Sequence, residues 1–403
     1  MNDKSLRVGI DVRLAHWPGI GRYIEEIVGQ MVIDFPDTEF VLFGNAVGPA
    51  TLRSYADPQL QQRLCGPHAP NVRFVGIPVT PFSLSEPVAL ARAVLAEGID
   101  VMHSPYINIP WLARNSIPLI VTLHDFRHPD LAVQASSPRT WAKRAYYETL
   151  TRLALSRAQR VICVSEFLAG QILDFRPALA SRVEVITHAA SDSFRPMPPW
   201  QAASEVAEHF GLTSPYFLFV GTLKPHKNLL AVVRAVAQPD MPDEVVLAVA
   251  AAPDTRYPEV EAEVRRLGLT QRVCFLGHLA KERLPALYNA ARATILPSAY
   301  ESFGLPVVES MACGTPVIAA PLASLPEVGG DAAWYAMPEA VALGAAMREA
   351  LLDERQHAQR RTAGMAHATS FSWKRSAAAL HALYRNAAAR SADIIQEECE
   401  VSS

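Results

Sequence analysis

Short apolar runs alternate with helix-length segments along almost the whole of this sequence, and this pattern restricts the possible folds to a few. Runs such as Val161–Val164 and Phe217–Val220 contain no polar residue that would face water. Strands of this kind are typical of a parallel sheet covered on both faces, and their alternation with helices indicates doubly wound α/β units. We predict seven strands in the first half of the chain and five in the second: Arg7–Val12, Phe40–Phe43, Val72–Val75, Val101–His103, Leu119–Thr122, Val161–Val164 and Val183–Ile186, then Phe217–Val220, Val245–Val249, Val273–Leu276, Thr294–Leu296 and Val317–Ala319.

A proline cluster, Arg195–Trp200, separates the two sets of strands and indicates a linker. A chain of 403 residues has the length of two ordinary domains. We therefore predict an α/β fold of two Rossmann-like, doubly wound domains that face each other across a cleft. Sheets of this type bind ligands at the carboxyl ends of their strands, so the cleft is the expected site.

Charge, hydropathy and cysteine spacing exclude several classes of protein. The 37 Lys and Arg residues nearly balance the 40 Asp and Glu residues, which argues against a general nucleic-acid binder. No apolar run approaches the ~18–20 residues that span a bilayer, and the N-terminus shows no signal-peptide pattern. The five cysteines form no C-x-x-C pair, as expected in a reducing compartment: Cys65, Cys163, Cys274, Cys313 and Cys399. We expect a cytoplasmic protein.

The segment Pro297–Glu309 carries the strongest chemical signal. Pro306 suits the first turn of a helix, so a helix is expected to begin just after Gly304, and its unpaired amides would favour an anion. Glu301 and Glu309 flank this helix start, where carboxylates would accept hydrogen bonds from sugar or ribose hydroxyls. In the alternative interpretation, Glu301 caps the helix and Glu309 is solvated.

A second segment, Val220–Asn228, follows a strand and precedes the helical run Leu229–Ala237. Its glycine turn, followed by Lys227 at a helix start, suits the binding of a diphosphate. A solvated loop lysine is the alternative interpretation.

Together these segments resemble glycosyltransferase family 4, the retaining nucleotide-sugar transferases of GT-B fold. Five pieces carry the resemblance in order along the chain: Gly19-Ile20-Gly21-Arg22-Tyr23, Thr122-Leu123-His124-Asp125, Gly221-Thr222 through Lys227-Asn228, Glu301 and Glu309 with seven residues between them, and Ser324–Val328. The resemblance covers nearly the whole chain. It implies an acceptor-binding domain at 1–195, a nucleotide-sugar-binding domain at 200–370, and a closing helix within 371–403 that returns towards the first domain and ends in a frayed acidic tail.

The resemblance also implies a role for each matching residue. His124 and Glu301 would be the catalytic residues, with His124 orienting the transferred sugar. The donor diphosphate would be bound by Lys227, Gly21, Thr222, Gly304 and Leu305, the sugar by Glu301, Ser302 and Phe303, and the ribose and nucleobase by Glu309, Gly277 and His278. Further candidates are Lys224, Arg22, Gly19, Asp125 and His103.

The Gly221–Lys227 loop departs from the family pattern. Such enzymes usually place an arginine in the Gly221–Lys227 loop, at positions that hold Thr222 and His226 here. Lys224 or Arg22 could supply the charge, although neither presents a bidentate fork. This departure leaves open an altered donor, or a non-catalytic subunit that binds a sugar nucleotide.

The resemblance predicts the reaction more closely than the residues alone do. The Gly221 loop is similar to that of bacterial mannosyltransferase-like enzymes, which implies retaining transfer of a hexose, favouring mannose from GDP-mannose, with a UDP-sugar as the alternative donor. The acceptor would be a hydroxyl of a cell-surface glycan or of a lipid-linked saccharide precursor. The sequence contains no Asp-x-Asp pair and no cluster with metal-ligand spacing, so we predict transfer with neither a metal nor a cofactor.

The segment 139–160 is basic and aromatic at helical spacing. Such a face would suit peripheral contact with an anionic membrane surface that presents a lipid-linked acceptor. An ordinary domain helix with a solvated face is the alternative, and the composition favours it.

Overall fold

Two parallel β-sheets organise the chain in the computed structural model, which describes residues 5–17, 19–46, 62, 64, 69–112, 117–126, 138–252 and 254–401, with the backbone alone for 138–140, 143 and 392–401. Each sheet belongs to its own compact unit. The first unit is Met1–His188 together with Trp373–Ser403, and the second unit is Ala189–Ser372.

The first unit contains a seven-stranded sheet whose strand order is β3-β2-β1-β4-β5-β6-β7. Every pairing is parallel, and the register includes Val8 opposite Phe40 and His103 opposite Ile120. Its strands are β1 (Arg7–Asp11), β2 (Glu39–Asn45), β3 (Val72–Ile77), β4 (Val101–Ser104), β5 (Leu119–Leu123), β6 (Arg160–Cys163) and β7 (Val183–Val185).

The second unit contains a six-stranded parallel sheet with the order β10-β9-β8-β11-β12-β13. Along β8, Phe217 and Phe219 join one buried apolar cluster while Tyr216 and Leu218 join the other, as expected when both faces of a sheet are covered. Its strands are β8 (Tyr216–Val220), β9 (Val246–Ala250), β10 (Val273–Phe275), β11 (Ala293–Leu296), β12 (Val317–Ala319) and β13 (Trp334–Tyr335).

The described α-helices follow local capping chemistry. Ser165 accepts a hydrogen bond from the Leu168 amide at the start of one helix, and Gly98 and Gly211 end two others in the left-handed region. The helices are α1 (Ile20–Asp34), α2 (Glu86–Glu97), α3 (Pro138–Arg157), α4 (Glu166–Phe175), α5 (Pro199–Phe210), α6 (Leu229–Val236), α7 (Glu259–Arg266), α8 (Leu284–Ala290), α9 (Leu305–Ala312), α10 (Leu325–Gly329), α11 (Ala340–Leu352), α12 (Glu354–Ala368) and α13 (Trp373–Val401). None of these helices is long and apolar enough to cross a membrane.

All twelve predicted strands occur, each within two residues of its predicted ends. The sequence analysis missed only β13 among the described strands, because two residues carry no periodicity. The chain passes from the first unit to the second after His188, before the proline cluster, and Pro199 begins α5 instead of extending a linker. Helix α13 packs against α1 of the first unit.

The strand orders identify where each sheet would bind a ligand. Across each sheet the strand numbers first fall and then rise, and the change occurs between β1 and β4 in the first sheet and between β8 and β11 in the second. At such a switch point the following loops diverge and leave a crevice at the carboxyl ends of the strands. The two segments with the strongest chemical signal follow β8 and β11.

Candidate active site

The loops that follow β8 and β11 are joined by hydrogen bonds. The Ala299 amide donates to the carbonyl of His226 at 2.8 Å, and the side-chain amide of Asn228 donates to the carbonyl of Pro297 at 2.9 Å. Asn228 can make this contact because its backbone is left-handed, with φ 53°, a conformation that asparagine tolerates better than most residues. The two predicted segments therefore form one structure.

An ion pair lies where these loops meet. Lys227 Nζ donates to Oε1 of Glu301 at 2.7 Å, and the Ser298 hydroxyl donates to the same oxygen at 2.8 Å. The two charged side chains are 19% and 16% exposed, so the pair is partly desolvated while remaining open to a ligand. The interpretation of Lys227 as a solvated loop lysine is wrong.

Gly304 and Ser324 determine the backbone conformation at the start of helix α9. Gly304 is the N-cap residue of the helix, with φ 101°, and as a glycine it has no side chain that could cap the first-turn amides. The Ser324 hydroxyl contacts the carbonyls of Glu301 at 2.9 Å and Phe303 at 2.8 Å, which holds the turn. First-turn amides without a capping side chain are suited to an anion, as predicted from Pro306 and Gly304.

Glu309 lies one turn inside α9 and is only 4% exposed. Its Oε2 accepts a hydrogen bond from the Tyr288 hydroxyl at 2.9 Å. The interpretation of Glu309 as a solvated carboxylate is therefore wrong. The hydrogen bond from Tyr288 gives the buried carboxylate of Glu309 a defined orientation. A carboxylate that binds ribose hydroxyls needs such an orientation.

The remaining candidates in the second unit differ in what they can offer a ligand. Phe303 packs its ring against Phe371, with centroids 5.6 Å apart, so only its backbone can reach a sugar. Gly277, with φ 75°, and the exposed His278 follow the edge strand β10. Thr222 is exposed, while Lys224, Ser302 and Leu305 are half-buried.

In the first unit, His124 follows β5 and is nearly fully buried. Its ring hydrogen-bonds to the backbone of Pro105, which can only accept, whereas Nε2 has no hydrogen-bond partner among the described residues. Nδ1 is therefore the donor. Burial lowers the pKa of His124 to about 3, so the ring is neutral and Nε2 is a hydrogen-bond acceptor.

Aromatic rings surround His124. The ring of Tyr23 lies edge-on at 4.8 Å and that of His188 at 5.3 Å, and Trp373 stacks on His188 at 5.5 Å. Of these, only Tyr23 stood in a segment that the sequence analysis singled out. His188 and Trp373 are distant in sequence, and no local pattern marks them.

His103 was a candidate ligand, and the structure gives its ring a different task. Nε2 lies 2.9 Å from the Thr122 hydroxyl and Nδ1 lies 2.7 Å from the Tyr384 hydroxyl, so both nitrogens are used. The side chain is fully buried, and neither nitrogen is available to a substrate. Asp125, another candidate, is half-buried directly after His124.

Glycine is required for different reasons at the two positions Gly19 and Gly21. Gly19 adopts φ 80°, which favours glycine at the helix start. A Cβ on Gly21 would lie 2.1 Å from the carbonyl oxygen of Ala15, so the loop itself requires glycine there. Arg22, a candidate for the missing charge, is half-buried on α1.

A buried charged cluster at the end of β1 was missed by the sequence analysis. The Arg13 guanidinium donates two hydrogen bonds to Asp11, at 2.8 and 2.6 Å, and one to Glu86 at 2.6 Å. Asn108 donates to both oxygens of Glu86. Burial raises the pKa of Glu86, and the nearby guanidinium opposes that shift. The cluster links the end of β1 to the start of α2.

Within the described parts of the chain, no group of three or more His, Cys, Asp or Glu residues has the arrangement of a metal site. The described cysteines Cys163, Cys274 and Cys313 are free thiols.

Two family models match the chain. Residues 19–188 match the glycosyl transferase 4-like domain, and residues 203–387 match the glycosyl transferases group 1. O-antigen chain mannosyltransferase B of Escherichia coli is 27% identical in an alignment 377 residues long that covers 88% of this chain and 93% of that protein. D-inositol 3-phosphate glycosyltransferase of Mycolicibacterium smegmatis is 32% identical over 72% of this chain and 67% of that protein.

Among solved structures, sucrose-phosphate synthase from Thermosynechococcus elongatus superposes with a TM-score of 0.76 at 21% identity. The match covers 94% of this chain and 98% of that one. At this identity the likeness concerns the fold, which is that of a GT-B protein.

Proposed function

Because this chain belongs to glycosyltransferase family 4, whose members are nucleotide-sugar-dependent enzymes of GT-B fold, we propose that it transfers mannose from GDP-mannose with retained configuration. The acceptor in this proposal is a hydroxyl of a cell-surface glycan or of its lipid-linked precursor. The observation that carries the proposal is the meeting of Lys227, Glu301 and the open start of α9 at one sheet's switch point.

The donor diphosphate would be bound by charge and by backbone amides. Lys227 supplies a partly desolvated ammonium, and the first-turn amides of α9 near Gly304 and Leu305 supply aligned dipoles. Together they would stabilise negative charge on the leaving diphosphate, a task that a divalent ion performs in other enzymes. This is the basis of the prediction that transfer needs no metal.

Side chains that accept hydrogen bonds would orient the transferred sugar. Glu301 presents a carboxylate that already accepts from Lys227 and Ser298, and sugar hydroxyls are donors of the same kind. Nε2 of His124 is a neutral, buried acceptor without a hydrogen-bond partner among the described residues, and in this proposal it becomes accessible when the donor binds and accepts a hydrogen bond from a sugar hydroxyl. In the proposed mechanism the acceptor hydroxyl attacks from the face that the diphosphate leaves, and a diphosphate oxygen helps to take its proton.

The choice of mannose rests on the E. coli relative, which is named a mannosyltransferase and of which this chain covers 93%. Calorimetric titration without metal tests this choice, using GDP-mannose, UDP-glucose, GDP and UDP. Saturable binding of GDP-mannose and GDP alone is the expected result. If only UDP-glucose and UDP bind, the donor is a UDP-sugar and not GDP-mannose. If none of the four binds, the proposal is contradicted.

Catalysis and stereochemistry need a second experiment. Incubation of the enzyme with GDP-mannose and a short-chain lipid-linked saccharide should yield an α-linked product, read from the one-bond C1–H1 coupling in NMR. A β-linked product would overturn retention. Donor binding without transfer or hydrolysis would favour the alternative of a non-catalytic sugar-nucleotide-binding subunit.

The lipid-linked acceptor is proposed from the exposed surface of α3. Trp141 is 60% exposed, and Leu153 and Arg152 are also exposed on this helix. An apolar cavity of about 130 Å³ opens beside it, between Trp111, which is 66% exposed, and Arg157. Exposed aromatic and basic side chains on one helix suit an anionic membrane surface.

Sedimentation with vesicles tests this membrane contact. The protein should bind vesicles that contain phosphatidylglycerol more strongly than phosphatidylcholine vesicles, and Arg152→Glu should weaken that binding. Arg265→Glu, on the exposed surface of the second unit, is the charge-matched control. Equal binding by all three proteins, or binding by none, would overturn the contact.

A further inference from the structure

A buried chain of hydrogen bonds runs from the last helix of the protein to the first. The Tyr384 hydroxyl on α13 contacts Nδ1 of His103 at 2.7 Å, and Nε2 of His103 contacts the Thr122 hydroxyl at 2.9 Å. That hydroxyl lies 3.0 Å from the hydroxyl of Tyr23 on α1. All four side chains are completely buried, and each of their polar atoms has a partner, so the chain is fully satisfied. We call it the Tyr384–Tyr23 chain.

The hydrogen bonds of the Tyr384–Tyr23 chain have a fixed relation of donors and acceptors, because the imidazole of His103 is neutral. Burial lowers the pKa of His103 to about 3, and a neutral imidazole has one donor and one acceptor nitrogen. If Nε2 donates to Thr122, Nδ1 must accept from Tyr384, and the reverse order requires Tyr384 to accept. In either order, removing the Tyr384 hydroxyl leaves a buried ring nitrogen unpaired, a cost that favours rearrangement of the whole chain.

The chain ends on the ring that supports His124. The Tyr23 ring meets the His124 ring edge-on, with centroids 4.8 Å apart and planes inclined by 71°. Since Nδ1 of His124 is tied to Pro105, the neighbouring rings determine how far the imidazole can turn about that bond. A shift of the Tyr23 ring would therefore change the space in which the His124 ring can turn, and with it the direction of Nε2.

We propose that Tyr384 is a positioning residue for His124, acting through the Tyr384–Tyr23 chain. The inference rests on the proposed function, because it assumes that Nε2 of His124 orients a sugar hydroxyl. It assigns to the last helix a part in the transfer step, although the hydroxyl of Tyr384 is buried and cannot touch the substrate.

Tyr384→Phe tests the proposal against a matched control on the same helix. His381 of α13 is held to Thr38 by a separate buried hydrogen bond of 2.8 Å. Tyr384→Phe and Thr38→Val each remove one buried hydroxyl that anchors α13. We expect Tyr384→Phe to lower kcat about ten- to hundredfold with the donor KM unchanged, because small misplacements of a substrate-orienting group are costly. Thr38→Val should leave kcat within about twofold.

Two further measurements separate positioning from simple stabilisation. Thr122→Ser keeps the hydroxyl and should retain kcat, whereas Thr122→Val should reproduce the loss seen with Tyr384→Phe. In ¹⁵N-histidine-labelled protein, the imidazole resonances of His124 should shift in Tyr384→Phe and Thr122→Val, and should remain at their wild-type positions in Thr38→Val and Thr122→Ser.

The outcomes distinguish this inference from the proposed function. If His124→Ala transfers sugar at the wild-type rate, the role of His124 itself is wrong. If His124→Ala is inactive while Tyr384→Phe keeps both the wild-type kcat and the wild-type His124 resonances, positioning by Tyr384 is overturned. Equal losses of kcat in Tyr384→Phe and Thr38→Val would also overturn it. If Tyr384→Phe fails to fold, the two Thr122 variants decide.

Discussion

Lys227 Nζ and Oε1 of Glu301 are 2.7 Å apart, and this contact joins the loop after β8 to the loop after β11. The same two residues are proposed to bind neighbouring parts of one donor, the diphosphate and the sugar. A bound diphosphate would therefore compete with Glu301 for the ammonium, and the released carboxylate oxygen would become available to the sugar hydroxyls. At the proposed donor site, the ion pair would hold both side chains in place before the donor binds.

Lys227→Ala should weaken donor binding by about 1.5–3 kcal/mol, the scale of a charge-assisted hydrogen bond. Calorimetric titration with GDP-mannose measures the change, and Arg265→Ala, which removes an exposed cation from the same unit, is the control. If Lys227→Ala binds the donor with unchanged affinity, the diphosphate does not bind at Lys227. A loss in Lys224→Ala would then identify Lys224 as the cation.

Glu301→Gln should lower kcat by about 10²–10³-fold, because the neutral amide accepts hydrogen bonds from sugar hydroxyls more weakly than the carboxylate does. The variant should keep the far-UV circular dichroism spectrum of the wild type. Glu259→Gln on the exposed surface of α7 should leave kcat unchanged. Substantial transfer by Glu301→Gln would remove this residue from the sugar site.

Transfer should persist in excess EDTA. The physical reason is that Lys227 and the α9 amides are proposed to neutralise the leaving diphosphate without a cation. Rates measured with EDTA, with added magnesium and with added manganese should agree within about twofold, a margin small beside the ≈2.7–4 kcal/mol that one lost oxyanion donor costs. A rate that depends on either ion would contradict the metal-free prediction.

The protein should lose stability in mild acid because several buried histidines are neutral. Burial lowers the pKa of His103 and His124 to about 3, and it lowers the pKa of His188 as well. Unfolding restores an ordinary pKa near 6.5, so the unfolded chain binds more protons between about pH 3 and 6.5. Stability is therefore fully present above pH 6.5 and falls as the pH drops through this window.

Urea denaturation at pH 7.5 and pH 5.5 measures this effect. Each buried histidine adds up to about 1.4 kcal/mol per pH unit to the slope within the window. His103→Gln should reduce the pH dependence, since it removes one titrating group. A wild-type stability that is the same at both pH values would contradict the lowered pKa values of these rings in the folded protein.

Gly21→Ala should destabilise the first unit by about 1–3 kcal/mol, because its Cβ would lie 2.1 Å from the Ala15 carbonyl oxygen. Gly170→Ala is the matched control, since Gly170 lies inside α4 with nothing within 4 Å of the added Cβ. That substitution should stabilise by about 0.5–1 kcal/mol, the usual preference of a helix for alanine. Thermal unfolding of both variants measures the difference in sign.

Features that depend on local residue order could be predicted from the amino-acid sequence. Apolar runs indicated twelve strands, and the placement of Gly304 and Pro306 indicated the start of α9. These signals are readable because strand periodicity, helix capping and left-handed turns involve only neighbouring residues. The family also follows from the sequence, since its motifs are short segments in a set order.

The contacts between side chains that are distant in sequence could not be predicted in this way and follow from the fold. Lys227 and Glu301 are 74 residues apart, and His103 and Tyr384 are 281 residues apart. The strand order brings the first pair together, and the packing of α13 on the first unit brings together the second. Neither pairing has a local pattern, because a hydrogen bond between distant segments depends on where the sheets place them. That is why His103 looked like a ligand in the sequence and is a buried hydrogen-bonding link in the fold.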